Sequence, residues 1–309
     1  MADKKKKSGL IKRLVLLGFV GFGGLVVLTY GGLYFASSSQ LAQTHELDVA
    51  GIDIPEGDDD AIKRGEYLVN HVMSCSHSDC HQTDMGGGAT MDQFPVGLVY
   101  APNLTSGQGS VVNGYTSEDW VRTLRHGLKP DGTRALIMPS EDYWSFPDSD
   151  IGAVIAYIKS LPPVDRESKE HSLGPIGMVI AATKPVYAWD KIDHTAKRPK
   201  AERGPTEEWG EVLVGACTGC HGHTLSGGLI PGADPSWPEA RNITPDEATG
   251  IGSWEFEDFE KALKTGQRPD GTTLHESMPY KAYAGMYDED IEALWKYLQT
   301  VPPKQAGGR

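Results

Sequence analysis

A run of 23 residues without a charge, 14–36, is the longest apolar feature of this chain of 309 residues. Six Lys or Arg residues and one Asp precede it, at 1–13. A helix of this length crosses the hydrocarbon core of a bilayer, and basic residues favour the cytoplasmic side. The pattern predicts a cytoplasmic basic tail at 1–13 and a single transmembrane helix at 14–36 in the inner membrane, with the remainder on the periplasmic side. The alternative is a cleaved signal peptide, but the long run and the lack of an A-x-A site after it favour a retained helix.

A helical pattern then occurs twice, at positions about 140 residues apart. Apolar spacing predicts helices over 62–71, 117–125 and 148–160, and again over 209–216, 255–264 and 288–300. Glycines follow the middle helices and paired prolines follow the last ones, as expected at helix ends. Self-similarity at so long a period indicates a duplicated domain.

The predicted fold class is therefore all-α, an N-terminal transmembrane helix followed by two tandem domains. The repeats place the first domain at 61–163 and the second at 204–304. A polar tether, 37–60, precedes the first domain, and a connector, 164–203, joins the two. Each domain is small and rich in loops, so a buried prosthetic group is expected to complete its core.

All four cysteines lie in two clusters, and each cluster ends in a histidine. The second, Cys217 to His221, has the C-x-x-C-H spacing with which two thiols add to the vinyl groups of haem while the histidine binds the iron. The first, Cys75 to His81, has two additional residues between its cysteines. A Met-Pro pair follows each histidine after 57 positions, at Met138 and Met278.

These clusters predict two covalently bound haem c groups. A methionine thioether opposite the histidine gives a six-coordinate iron, and such an iron transfers single electrons. Zinc or a disulfide is the alternative, but structural zinc takes four ligands and a disulfide leaves the histidines without a role. The predicted cofactor-binding residues are Cys75, Cys80, His81 and Met138 in the first repeat and Cys217, Cys220, His221 and Met278 in the second, with iron held by His81, Met138, His221 and Met278; no catalytic residue is assigned.

The order of these elements resembles that of class I cytochromes c. Three segments of the second repeat resemble the cytochrome c subunits of membrane-bound alcohol and gluconate dehydrogenases: 242–246 (Asn-Ile-Thr-Pro-Asp), 250–254 (Gly-Ile-Gly-Ser-Trp) and 278–280 (Met-Pro-Tyr). Those subunits usually carry three haem groups, whereas this sequence has two clusters, and the first repeat lacks the Thr-Pro-Asp and Gly-x-Gly-x-Trp elements. Asn103 and Asn242, which begin the Asn-x-Thr motif in each repeat, are expected to fix loop backbone.

The same resemblance implies a close crossing of the first and last helices in each repeat. Gly65 pairs with Tyr157 in the first repeat, and Gly210 pairs with Tyr297 in the second. A glycine at such a crossing lets an aromatic residue approach the backbone of the neighbouring helix.

The formal net charge of −13 argues against nucleic acid as a partner of the acidic globular part. The expected function is single-electron transfer between a respiratory or photosynthetic complex, or a dehydrogenase, and a downstream acceptor, so the expected partners are redox proteins or a membrane oxidoreductase complex. One alternative is a dihaem peroxidase, which needs an open or switchable iron. The other is a mainly structural subunit of a larger complex.

Overall fold

A long N-terminal helix, α1 (Ala2–Leu41), leads into a mainly helical body. The computed structural model describes residues 2–78, 80–183, 186–230, 233 and 236–309. The part of α1 from Leu16 to Leu41 is long and apolar enough to cross a membrane. The helix continues five residues beyond the predicted end at 36, because the polar residues that follow the apolar run are compatible with helix.

The helical elements of the two halves follow each other in the same order. In the first half they are α2 (Asp59–Tyr67) with a π-helical turn (Leu68–Val72), α3 (Ser117–His126), α4 (Ser140–Tyr143) and α5 (Asp148–Ser160). In the second half, beyond a connector that includes α6 (Pro175–Thr183) and a 3₁₀ turn (Ala188–Lys191), they are α7 (Glu207–Leu213), α8 (Gly215–His221), α9 (Phe256–Thr265), α10 (Tyr280–Tyr283) and α11 (Asp288–Thr300). The middle helices α3 and α9 end, as predicted, at left-handed Gly127 and Gly266.

A small antiparallel sheet departs from the predicted all-α fold, which is therefore not confirmed. Strand β1 (Gly88–Gln93) pairs with β2 (Gly97–Ala101), and β2 pairs with β3 (Ser172–Leu173) in the connector. The residues of β1 and β2 are short runs separated by a three-residue turn, and such runs form a hairpin rather than a helix. Periodicity at helical spacing does not detect them.

The predicted close helix crossing is confirmed in both repeats. A Cβ on Gly65 would lie 2.0 Å from the Ala153 carbonyl oxygen, and one on Gly210 would lie 2.1 Å from that of Ala293. Backbone carbonyls of this kind cannot move aside as a flexible side chain can. Glycine is therefore required wherever the first helix of a repeat crosses the last.

Replacing Gly65 with alanine is expected to lower the free energy of unfolding by about 3 kcal/mol, the upper end of the cost of overpacking. The added methyl group meets the α5 backbone, so the helices must separate. Chemical unfolding followed by circular dichroism measures the loss. Glu66→Ala, at the next, exposed position of α2, is the control, and equal stability of the two variants would contradict the account.

The two repeats contact each other reciprocally. Helix α4 of the first packs against α8 of the second, and α10 of the second packs against the π-helical turn of the first. Asp142 accepts a hydrogen bond from the Thr218 hydroxyl at 2.7 Å, and the His71 Nδ1 lies 2.8 Å from the Ala282 carbonyl oxygen. The segment after each Met-Pro pair therefore touches the other repeat at or just before its cysteine cluster.

A buried polar network forms a second contact between the repeats. The Tyr67 hydroxyl and the Trp209 indole N–H each donate to the Asp290 carboxylate, both at 2.5 Å. Arg64 donates to Asp150 at 3.1 Å and lies 3.8 Å from Asp290. Both carboxylates are buried, and removing one partner of a buried ion pair leaves an uncompensated charge. The network therefore fixes the mutual orientation of the repeats.

The predicted tether, 37–60, lies along the first repeat. An Arg134 guanidinium N–H donates to the Gln40 carbonyl oxygen at 2.8 Å, and the Ile52 N–H donates to the Ser117 hydroxyl at 2.7 Å. Its composition is polar, but the apolar side chains of Ile52 and Ile54 within the segment pack against the core. The end of α1 is thus held close to the first repeat.

Candidate haem sites

Helix α8 carries the whole second cluster. It places Cys217 and Cys220 on one helical turn and ends at Gly222, whose φ of 77° reverses the chain after His221. Cys217 borders a small cavity whose lining is mostly apolar and comes from both repeats: Val72, Leu213, Ala216, Leu263, Tyr283, Met286 and Leu294. A vinyl group of haem needs an apolar environment of this kind beside the thiol.

One hydrogen bond fixes the orientation of His221. Its Nδ1 lies 2.7 Å from the Arg241 carbonyl oxygen, and a carbonyl only accepts, so Nδ1 carries the proton. Burial lowers the pKa of the imidazole, which keeps the ring neutral. The Nε2 lone pair is therefore free to bind a metal ion, the arrangement typical of metal-ligating histidines.

His81 has the equivalent arrangement in the first repeat. Its Nδ1 lies 2.9 Å from the Pro102 carbonyl oxygen, and burial again lowers the imidazole pKa. The same argument leaves Nε2 of His81 available as a ligand. In both repeats a backbone carbonyl in the corresponding loop holds Nδ1 of the histidine. Both histidines therefore have Nε2 available as the metal-ligating atom.

The described residues of the widened first cluster lie in turns and a bend instead of a helix. The Cys80 N–H donates to the His77 carbonyl oxygen at 2.9 Å, and the His81 N–H donates to the Cys75 carbonyl oxygen at 3.0 Å. The His77 side chain, which lies between the two cysteines, is exposed. Asp79, within that segment, lies outside the described residues.

Sequence reasoning missed the carbonyl partners of the histidines, although the Asn-x-Thr motif marks their position. Asn103 directly follows Pro102, and its Nδ2 donates to the Val164 carbonyl oxygen at 2.7 Å. Asn242 directly follows Arg241, and its Nδ2 donates to the Lys304 carbonyl oxygen at 2.6 Å. In both loops the asparagine Oδ1 also accepts from the threonine two residues on. The predicted role of the asparagines in fixing loop backbone is confirmed, and that backbone includes the carbonyl that orients the histidine.

The structure places Met138 and Met278 at equivalent points. Each is partly buried against the hydrophobic core, and each precedes a proline and a short helix, α4 or α10. The prolines set the start of these helices, which contact the opposite repeat. Each methionine therefore lies directly before a segment that contacts the opposite repeat.

Burial raises the pKa of the Cys75 and Cys217 thiols to about 12. These thiols are protonated at neutral pH, unlike the thiolates that bind zinc. Buried thiols, neutral imidazoles with Nε2 available, thioethers and an apolar cavity together fit covalently attached haem c. Of these residues, the thiols would hold the porphyrin and the His and Met side chains would hold the iron.

Asp142 is a buried acid beside the second cluster. Burial is the main cause that raises its pKa to about 7, and the neighbouring Glu141 adds to the shift. The hydrogen bond from Thr218 and the charge of Lys191 oppose it. The carboxyl group therefore stays largely protonated in the folded protein below neutral pH.

The contribution of Asp142 to the free energy of unfolding is expected to fall as pH rises from about 4 to about 7, because unfolding releases the Asp142 proton throughout this window. Asp142→Asn keeps the Thr218 contact and removes the titration. Across this window the free energy of unfolding of the variant should rise relative to that of the wild type by on the order of 2–4 kcal/mol. Above the window the difference should be constant. Denaturant titrations from pH 4 to 8 measure the difference, and parallel profiles would contradict the prediction.

The stretch 208–302 matches the cytochrome c family. This stretch contains Cys217 to His221 and Met278, and covalently bound haem c is the cofactor that a match to this family implies. The resemblance of the second repeat to cytochromes c, predicted from its sequence, is confirmed.

The chain is similar to three curated relatives. It is 28% identical to the fructose dehydrogenase cytochrome subunit of Gluconobacter japonicus over 89% of this chain and 62% of the relative. It is 27% identical to the cytochrome c subunit of alcohol dehydrogenase (quinone) of Gluconobacter oxydans over 82% and 57%. It is 28% identical to the gluconate 2-dehydrogenase cytochrome c subunit of Pantoea cypripedii over 84% and 64%. The chain thus spans about three fifths of the length of these relatives, and the predicted resemblance to subunits of this type is confirmed.

Proposed function

We propose that this chain is a membrane-anchored dihaem cytochrome c that passes single electrons from a dehydrogenase or another membrane oxidoreductase complex to a downstream acceptor. The observation that carries the proposal is the repeated histidine arrangement. In both repeats the Nδ1 of the histidine contacts a carbonyl oxygen in a loop held by Asn-x-Thr. The relatives are named as cytochrome subunits of dehydrogenases, which supports this class of partner.

Two tandem cytochrome c domains, 61–163 and 204–304, are part of the proposal, with one haem c in each. The second domain uses Cys217, Cys220, His221 and Met278, and the first uses Cys75, Cys80, His81 and Met138. Bound haem supplies a one-electron Fe(III)/Fe(II) couple at each site. The chain orients each imidazole, keeps it neutral, and surrounds the sites with apolar side chains that exclude water.

Helix α1 is proposed to be a single-pass anchor in the inner membrane, with both haem domains on the periplasmic side. Its apolar length and the basic residues at 1–13 support this orientation. Export of both haem domains to the periplasmic side agrees with covalent haem attachment at both clusters. The acidic body is suited to a partner with a basic docking face.

Isolation of the tagged full chain from native membranes in mild detergent tests the proposed function. A dehydrogenase subunit should be isolated with it, and the substrate of that enzyme should reduce both haems. If the chain is isolated alone and the half-reduced protein turns over peroxide, the alternative of a dihaem peroxidase replaces the proposal. If a complex forms but no haem is reduced, a structural subunit is the better description.

A further inference from the structure

Three large apolar side chains lie exposed near the outer end of α1. Phe94 is 88% exposed at the turn between β1 and β2, and Ile176 and Val179 are 48% and 36% exposed on α6. We refer to Phe94, Ile176 and Val179 as the apolar platform. Neighbouring exposed apolar side chains of this size mark a surface that contacts another body or a membrane.

Helix α6 has two different faces and no charged residue. Gly177, Met178 and Ala181 are buried against the protein, whereas Ile176 and Val179 lie one helical turn apart on the exposed face. The helix also packs against α1. Its apolar exposed face is therefore adjacent to the apolar surface of α1.

Hydrogen bonds hold the β1–β2 turn against the start of α6. The Ile176 N–H donates to the Pro95 carbonyl oxygen at 3.0 Å, and the Gly174 N–H donates to the Val96 carbonyl oxygen at 2.7 Å. A Cβ on Gly177 would lie only 2.2 Å from the Val96 oxygen, so turn and helix are in close contact. Phe94 is thus fixed beside Ile176 and does not lie on a separate surface.

The burial of residues along α1 shows where on this helix the rest of the protein, including α6, packs against it. Side chains from Leu16 to Gly32 are exposed, Leu33 is half-buried and Ser37 is completely buried. About 20 residues of helix suffice to cross the hydrocarbon core, so a span that begins near residue 14 reaches the outer surface near Leu33. From this level outward the protein covers one side of α1, while Tyr34 and Phe35 stay 51% and 76% exposed. Helix α6 packs against α1 and therefore lies near the membrane surface.

We propose that the apolar platform is a second membrane contact, which inserts into the interfacial region of the outer leaflet beside α1. The inference rests on the proposed function, because it requires α1 to span the membrane. Apolar side chains at this depth leave water without entering the bilayer centre. The acidic body gains nothing from anionic lipid, so the contact depends on apolar insertion and is expected on neutral lipid. A single helix alone leaves the body free to tilt, whereas two contacts set the height and tilt of the first repeat above the membrane.

Photolabelling from lipid tests the apolar platform. The haem-loaded full chain is reconstituted into phosphatidylcholine vesicles that contain a phospholipid with a diazirine near the top of one acyl chain. After irradiation, mass spectrometry of the digested protein should find lipid adducts in α1, in the turn 93–97 and in α6. Leu229, which is 73% exposed in the second repeat, should remain unlabelled.

Matched variants separate the platform from the anchor. Phe94→Asp combined with Ile176→Asp should remove most of the label from 93–97 and α6 while the label on α1 stays unchanged. Leu229→Asp should change none of the labelling, and an unchanged haem spectrum shows that each variant is folded. If only α1 is labelled in the wild type, the proposed lipid contact of the apolar platform is wrong, whereas the proposed membrane anchor is still supported. Absence of label from α1 overturns the anchor proposed above, and the platform with it.

Discussion

Replacing Cys217 and Cys220 together with serine is expected to halve the covalently bound haem, from two groups per chain to one. The thioether bonds to the second haem need both sulfur atoms, which α8 places on one turn. His221 and its carbonyl contact remain in the variant, but coordination without the thioethers does not survive denaturing extraction. The pyridine haemochrome of the acid-acetone-washed protein, together with its intact mass, counts the haem groups that stay attached.

The corresponding replacement of Cys75 and Cys80 is the matched variant. It should also leave one haem per chain, and that haem should be the one with the properties of the second site. Ser76→Ala, which changes a residue of the widened cluster without removing a thiol, should keep both groups. Two haems in either double variant, or none in both, would contradict the assignment of one group to each cluster.

Replacing Met278 with histidine is expected to lower the reduction potential of the second haem by on the order of 0.1 V, within the range of about 0.8 V that axial ligands set. Methionine opposite histidine raises the potential relative to a second histidine. The haem should stay attached, because Cys217 and Cys220 are unchanged. Spectroelectrochemical titration of the full chain resolves the two potentials.

The shift should be confined to one haem in each variant. Met138→His should lower the potential of the first haem and leave the second near its original value. Met91→Leu changes a methionine of β1, far along the chain from either Met-Pro pair, and should shift neither. A shift of both haems by Met278→His, or of neither, would mean that Met278 is not the axial ligand.

Local patterns were sufficient to predict much of the second repeat. The C-x-x-C-H motif lies on α8. The close helix crossing was predictable because it depends on a single residue, Gly210, where only glycine fits. Asn242 fixes loop backbone as expected, since an asparagine side chain satisfies backbone groups nearby in space. Such features depend on a few neighbouring residues, so they are visible in the sequence.

Features that depend on distant residues were not predictable. The donation from Thr218 to Asp142 spans 76 positions and the bond from Tyr67 to Asp290 spans 223. Neither the packing of the repeats nor the raised pKa of Asp142 follows from local composition, because both arise from burial between segments. Strand β3 was not predictable for a related reason, since it comes from the connector about 70 positions after β2. The local hairpin of β1 and β2 was missed because periodicity at helical spacing does not detect it.

The two sites differ most in the cluster that carries the cysteines. Helix α8 holds the second pair on regular helical backbone, whereas turns with an exposed His77 hold the first. Histidine orientation is nevertheless the same, because it depends on the Asn-x-Thr loop and not on the spacing of the cysteines. We therefore expect similar iron coordination at both sites, with differences in exposure concentrated at Cys75 to His81.

Spectroscopy of the fully oxidised full chain tests the central claim most directly. Near-infrared charge-transfer bands and low-temperature electron paramagnetic resonance, normalised to covalently bound haem, report the axial ligands of each iron. The account predicts two haems per chain, both low-spin and both with histidine and methionine as ligands. A single haem, a high-spin iron or a bis-histidine signal at either site would contradict it.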